Sequence, residues 1–207
     1  MSASIILEYA KRIRAISAIG LTFTQNEYDV DRYNELEAIS LRLMEAVSDL
    51  SSEKLKTYYA GEREYVTPKV DVRAVVFNEK KELLLVREAS DGRWSLPGGW
   101  ADVGSSPSEV AAKEVYEESG WVVTPFKLLA VLDSRLHNHP PTPDYIYKLF
   151  IGCEITGGGW KQTFDILEGA FFTRAQIPAL STNRVTAEQI ALMFAYADDP
   201  TKVATLD

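Results

Sequence analysis

The apolar pattern of this chain changes period near Gly61, and that change decides what the two halves can fold into. From Ile5 to about Ala60 apolar residues recur at helical spacing. Ile6, Leu7, Ala10, Ile13, Ile16 and Ile19 share a face, and Gly20 reads as the stop of that first helix. A second helix is expected from Val30 or Asp31 to Asp49, with Leu36, Ile39, Leu43, Met44 and Val47 inward, and Ser51-Ser52-Glu53 starts a short third. Beyond Gly61 the pattern becomes that of strands. Val70–Phe77 and Glu82–Arg87 flank the polar turn Asn78–Lys81 and predict an antiparallel hairpin. Further strands are expected at Phe126–Asp133, Tyr145–Glu154 and Ala170–Thr173, and a closing helix at Thr186–Ala197 with Ile190, Met193 and Phe194 inward. Strands with few helices between them predict a mixed sheet covered by helices, an α/β/α sandwich, preceded by a small all-α domain. The expected domains are 1–62 and 67–207.

Composition narrows the setting. With 207 residues and 46% hydrophobic content, the chain has the profile of a soluble globular protein of one good-sized domain and a small one. A single cysteine, Cys153, in an apolar run excludes an internal disulfide and fits a reducing cytoplasm, the expected location. There is no run of membrane-spanning length and no signal-peptide pattern at Ser4–Tyr9, so no membrane partner is expected. The net charge of −8 disfavours nucleic acid and requires any anionic substrate to be held locally. A small helical unit with two apolar stripes needs a partner surface, either the other domain or a second chain, which makes a homodimer the expected assembly.

The chemistry concentrates between Leu96 and Trp121. Glu114, Glu117 and Glu118 stand at i, i+3 and i+4 of a helix signalled by Ser105 or Ser106 as cap, Pro107 in the first turn and Gly120 past the end. Like charges at that spacing repel, and a hard divalent cation bound by several carboxylate oxygens converts the repulsion into coordination. Ala111, Ala112 and Val115 form the buried side, which leaves the glutamates at its edge, facing a cleft. Just upstream, Leu96-Pro97-Gly98-Gly99 is a rigid turn with two glycines, where backbone can approach a ligand closely and the Gly98 carbonyl can serve as a further ligand.

Leu96 to Trp121 resembles the signature of the Nudix hydrolases, Gly-x5-Glu-x7-Arg-Glu-U-x-Glu-Glu-x-Gly-U with U apolar. The resemblance implies a Nudix fold and hydrolysis of a nucleoside diphosphate linked to another group. It also implies a Mg2+ or Mn2+ site formed by Glu114, Glu117 and Glu118, with Glu114 as first choice for the base that activates water. Ser105 stands where the signature has Glu and Lys113 where it has Arg. Because those two side chains support the loop and helix in the family, the expectation is a looser support with the metal ligands intact. The helical extension before Pro68 is similar to that of a Nudix subgroup that includes a CDP-choline pyrophosphatase, so CDP-choline or a like compound is the expected substrate and ADP-ribose its nearest alternative. A non-catalytic nucleotide sensor is the rival from another class, and triphosphorylated RNA ends are a third, disfavoured by charge.

Other residues join this site as candidates. Arg87, at the end of a strand, can grip a substrate phosphate through two parallel hydrogen bonds. Gly99 and Trp100 are candidate substrate contacts, with Trp94 and Trp100 able to stack on a base. The proline-stiffened loop Arg135–Asp144 carries His137 and His139; it reads as a substrate rim with His137 as the contact, rather than as a metal pair. Glu168 lies where the family often supplies a further catalytic carboxylate, with Asp165 as its rival. Gly157–Gly159 lacks the Lys and Ser/Thr of a phosphate loop and reads as a hairpin-like turn.

Overall fold

The computed structural model describes residues 3–60, 65–163 and 165–207, so Gly61 itself lies outside it. The chain separates into two compact units, Met1–Pro68 with Pro141–Asp144, and Lys69–Pro140 with Tyr145–Asp207. No helix among the described residues is long and apolar enough to cross a membrane.

The first unit holds α1 (Ala3–Phe23), α2 (Glu27–Val47) and α3 (Ser52–Tyr58). Asn26 caps α2 by accepting from the Tyr28 amide, and Ser51 caps α3 by accepting from the Lys54 amide. Leu7, Ala10, Leu41, Met44, Leu55 and Tyr59 form its core, and the Tyr59 hydroxyl donates to the Pro143 carbonyl at 3.0 Å. Three expectations fail here. Gly20 does not end α1, because a Cβ there would stand 2.4 Å from the Tyr33 ring; the glycine lets α2 come close. The buried side of α1 is also rotated from the expected one, to Leu7, Ala10, Lys11, Arg14, Ala15, Ser17 and Ala18. Small side chains permit the close helix pair, and Ile5, Tyr9, Ile16 and Phe23 are left exposed. Leu36 is likewise exposed, and α2 buries Ser40, Leu41 and Met44.

The second unit contains β1 (Lys69–Val76), β2 (Leu83–Glu88), β3 (Trp94–Ser95), β4 (Gly98–Trp100), α4 (Pro107–Ser119), β5 (Trp121–Asp133), β6 (Ile146–Gly158), β7 (Ile166–Phe172), α5 (Ala187–Asp198) and β8 (Thr205–Leu206). One sheet is five-stranded in the order β4-β1-β6-β5-β8, and the other is three-stranded in the order β3-β2-β7. β1 runs parallel to β6 and antiparallel to β4, so the larger sheet is mixed, as expected. The hairpin expected of β1 and β2 is not formed. Their turn closes through the Lys81 amide on the Asn78 carbonyl at 2.9 Å, but after the single bridge Phe77–Leu83 the strands diverge into different sheets. The cause is burial on both faces: Leu83 and Leu85 join the cluster of Val75, Phe150 and Met193, while Leu84 joins that of Val72, Val110 and Val115. Gly157 and Gly158 fall within β6, pairing with the start of β5, rather than in a hairpin turn.

Candidate functional site

The acidic helix begins and ends where its sequence requires. Ser106, not Ser105, is the cap: its hydroxyl accepts from the Glu109 amide while the Glu109 carboxylate accepts from the Ser106 amide at 2.8 Å, a reciprocal box that satisfies two otherwise unpaired donors. Gly120 closes the helix at φ 78°, its amide donating to the Tyr116 carbonyl at 2.9 Å. Val110, Ala111, Val115 and Ser119 are buried, which sets Glu114 and Glu118 at the boundary and leaves Glu117 outside.

The glycine turn is fitted against β1. Gly98 has φ 148°, and a Cβ there would sit 2.0 Å from the Val72 carbonyl oxygen, so no other residue is accommodated. The Gly98 amide donates to a Glu118 carboxylate oxygen at 3.0 Å. Gly99 faces Glu114, whose Oε1 would meet a Cβ at 3.0 Å. Burial pushes the Glu118 carboxyl up to about 8, an effect that Arg73 and the Gly98 amide only partly offset. Burial, with Glu117 beside it, also raises Glu114.

Glu114 and Glu118 thus meet the glycine turn and Glu117 does not, and the oxygens of the three diverge: among the described residues no three acidic, His or Cys side chains converge closely enough to hold a metal as they stand. Glu118 turns to the Gly98 amide, and Glu117 turns toward Lys113 at 3.9 Å. The chemistry of the set nevertheless suits a hard cation, with carboxylates at a half-buried edge, one of them short of compensating charge, and side-chain-free backbone opposite. Lys113 spends its ammonium on Asp102 at 3.0 Å, and Ser105 is exposed.

The remaining candidates fall into separate groups. Arg87 and Glu168 are cross-strand partners on β2 and β7, 3.3 Å apart, and the Arg87 Nε is buried without a hydrogen-bond partner. Glu168 therefore lies inside a strand rather than before it. Trp100 is half exposed, with the Lys69 ammonium 5.6 Å from its ring, whereas Trp94 stacks edge-on against Phe172 at 4.8 Å. His137 contacts the Asp207 carboxylate at 2.8 Å, and the His139 Nδ1 meets the Thr182 carbonyl at 2.7 Å, so the two histidines face different partners.

A buried ionic group behind the turn was not anticipated. The Arg73 Nε donates to both Asp71 oxygens at 3.0 and 3.1 Å, its Nη1 donates to the Leu96 carbonyl at 3.1 Å, and the Lys148 ammonium also meets Asp71. Nearby, Glu88 is buried and accepts from the Ser95 hydroxyl at 2.8 Å and from the Arg184 guanidinium at 2.9 Å. Burial alone would raise the Asp71 carboxyl, but Arg73 and Lys148 hold it below the ordinary carboxylate range. The signal was present in β1, where Lys69, Asp71 and Arg73 alternate with Val70, Val72 and Ala74. Such alternation reads as one wet face; here that face is covered.

Comparison with known proteins gives one answer along the whole chain. A model of the NUDIX domain matches residues 67–193, and a model described as a UDP-X-like, N-terminal oligomerisation domain matches residues 5–59. YjhB of Bacillus subtilis (strain 168), provisionally named an ADP-ribose pyrophosphatase, is 44% identical over 97% of this chain and 96% of its own. Among solved structures, a UDP-X diphosphatase is 33% identical with both chains fully covered and a TM-score of 0.64. An ADP-ribose pyrophosphatase from Streptococcus suis 89-1591 is 38% identical over 68% of this chain and 100% of its own, with a TM-score of 0.62. The glycine turn, the capped acidic helix and the sandwich that carries them are therefore those of a hydrolase acting on pyrophosphate bonds, and the chain belongs to the Nudix family.

Proposed function

We propose that the chain cleaves the pyrophosphate of a nucleoside diphosphate linked to a second moiety, in a reaction that depends on Mg2+ or Mn2+. The observation that carries this reading is the tie between the acidic helix and the glycine turn, Glu118 to the Gly98 amide at 3.0 Å, which sets carboxylates beside backbone that carries no side chain. Glu114, Glu117, Glu118 and the Gly98 carbonyl would hold the cation. When bound, it would neutralise the diphosphate and acidify the attacking water. Glu114, half buried beside Gly99, takes the proton of that water as its oxygen bonds to phosphorus and the bridging P–O bond breaks. The products are a nucleoside monophosphate and a phosphorylated partner. Glu168 is the second choice of base; its pairing with Arg87 leaves it less free to accept a proton. Arg87, whose side chain is partly exposed, holds a substrate phosphate through the outer end of its guanidinium, Trp100 offers a stacking face, and His137 lines the rim.

For the second moiety, which departs with its phosphate, we favour an alcohol such as choline, on a cytidine nucleotide, because of the helical unit. ADP-ribose and UDP-linked compounds stand beside it because of the relatives named above. A panel of these compounds, with phosphate released by a coupled phosphatase, tests the choice. Glu117→Gln is expected to lose about 100-fold or more in kcat/KM, and equal turnover by wild type and variant would remove the metal assignment. The helical unit is taken as a dimerising element, supported by the exposed row Ile5, Tyr9, Ile16 and Phe23 on α1 and by its match to an oligomerisation domain. Light scattering of the Ile16→Glu variant checks this, with a monomer expected.

A further inference from the structure

Arg73 stands where β1, the glycine turn and α4 meet, and none of the roles above uses it. Its side chain is almost wholly buried, and each of its three guanidinium nitrogens has a partner. One edge forks onto Asp71, with Nε at 3.0 and 3.1 Å and Nη2 at 2.8 Å, and Nη1 reaches across to the Leu96 carbonyl at 3.1 Å. Asp71 is itself fixed by Lys148, whose ammonium also donates to the Arg184 carbonyl at 2.9 Å. The guanidinium is therefore aimed by its anchor and cannot swing without breaking the fork. What it holds is the first residue of the turn. The next links are backbone: the Ala74 amide donates to the Pro97 carbonyl at 2.8 Å, and the Gly98 amide donates to Glu118 at 3.0 Å. On the other side of the turn Lys113 is spent on Asp102 and Glu117, in solvent, and makes no hydrogen bond or ion pair with Leu96–Gly99.

We propose that Arg73 is a positioning residue of the pyrophosphatase site: by holding the Leu96 carbonyl from beneath, it fixes the turn so that the Gly98 amide meets Glu118 and Gly99 faces Glu114. The proposal rests on the hydrolase reading given above only for its kinetic consequence. The planar guanidinium is needed because it presents several donors in a rigid fork; a lysine ammonium in its place can satisfy Asp71 or Leu96 but does not span both. Loosening the turn misplaces the groups around the reacting phosphate without removing any that bind the rest of the substrate, so the loss falls on kcat.

Arg73→Lys and Arg73→Gln, each in the full chain, test this. Lysine keeps the charge, and glutamine leaves Asp71 paired with Lys148, so a folding failure of one still leaves the other to decide. In metal-free protein, hydrogen exchange at Gly98 and Gly99 is expected to quicken about tenfold, the worth of one hydrogen bond, with β5 and β6 unchanged. On whichever panel compound the wild type cleaves, kcat is expected to fall about 10- to 100-fold with KM within about threefold. Wild-type exchange at the two glycines would overturn the proposal, as would a lowered melting temperature with kcat retained. Exchange is read without turnover, so a panel on which the wild type is inactive removes the hydrolase reading alone, while unchanged exchange in the variants removes the brace alone.

Discussion

The glycine turn has an ion pair on either side, and the two differ in almost everything but charge. Lys113–Asp102 lies in water, with side chains 47% and 65% exposed, while Arg73–Asp71 lies in the core at 6% and 4%. An exposed pair contributes about 0–1 kcal/mol and is screened by salt, so it can decorate the turn but not hold it. A buried, forked pair is directional: its members have no water to turn to, and each lost bond leaves an unpaired group at a cost of about 1–3 kcal/mol. The difference teaches where support for this site resides. Ser105 and Lys113 look like losses in the helix and loop, yet the turn is secured from β1, on the face those residues never touch.

The largest way to break the comparison is Asp71→Asn, which leaves Arg73 and Lys148 buried with no anionic partner between them. We expect a loss of about 3–5 kcal/mol in urea unfolding; a loss under about 1 kcal/mol would place the two pairs on equal footing. Next is Glu118, also on the buried side. Its carboxyl is raised in the fold from 4.5 to about 8, so the folded chain holds the proton that the unfolded chain has released. Its contribution to metal-free stability is thus full below pH 4.5 and lost as pH rises through about 8. A cation must displace that proton, so Mg2+ affinity measured by calorimetry should tighten about tenfold per pH unit between about 6 and 8, and the slope should vanish in Glu118→Gln. A flat profile in the wild type would remove Glu118 from the ligand set. The smallest effect belongs to Lys113→Ala, expected to cost no more than about 1 kcal/mol, fading with added salt, with activity within about threefold of wild type. A tenfold loss of activity there would show the exposed pair to be a real support.

Sequence made the acidic helix legible because its signals are local: Ser106, Pro107 and Gly120 act within a turn of where they stand, and Glu114, Glu117 and Glu118 need only helical spacing. The sandwich was legible for a similar reason, through runs such as Val72–Val76 and Leu83–Val86. What escaped depends on partners distant in the chain. Arg73 reads as the wet side of a strand until Leu96 and Lys148 are brought over it. Leu83 reads as the far arm of a hairpin until two clusters compete for β2. Gly20 reads as a stop until Tyr33 lies against it. Within the site, the direction of each carboxylate escaped too, since spacing places Cβ atoms on a face but does not say that Glu118 will turn to an amide and Glu117 to a lysine.

The buried charges of β1 also restrict how the strand can be aligned. Asp71 and Arg73 lie opposite Lys148 and Phe150 of β6, and successive side chains alternate between the two faces. A slip of one residue would drive a carboxylate and a guanidinium into the apolar layer of Val110 and Val115 and bring Val72 against the lysine. A strand of valines alone would tolerate several alignments at little difference in energy. This one accepts a single alignment, so the residues beneath the glycine turn also act as the key by which the central parallel pair finds its register.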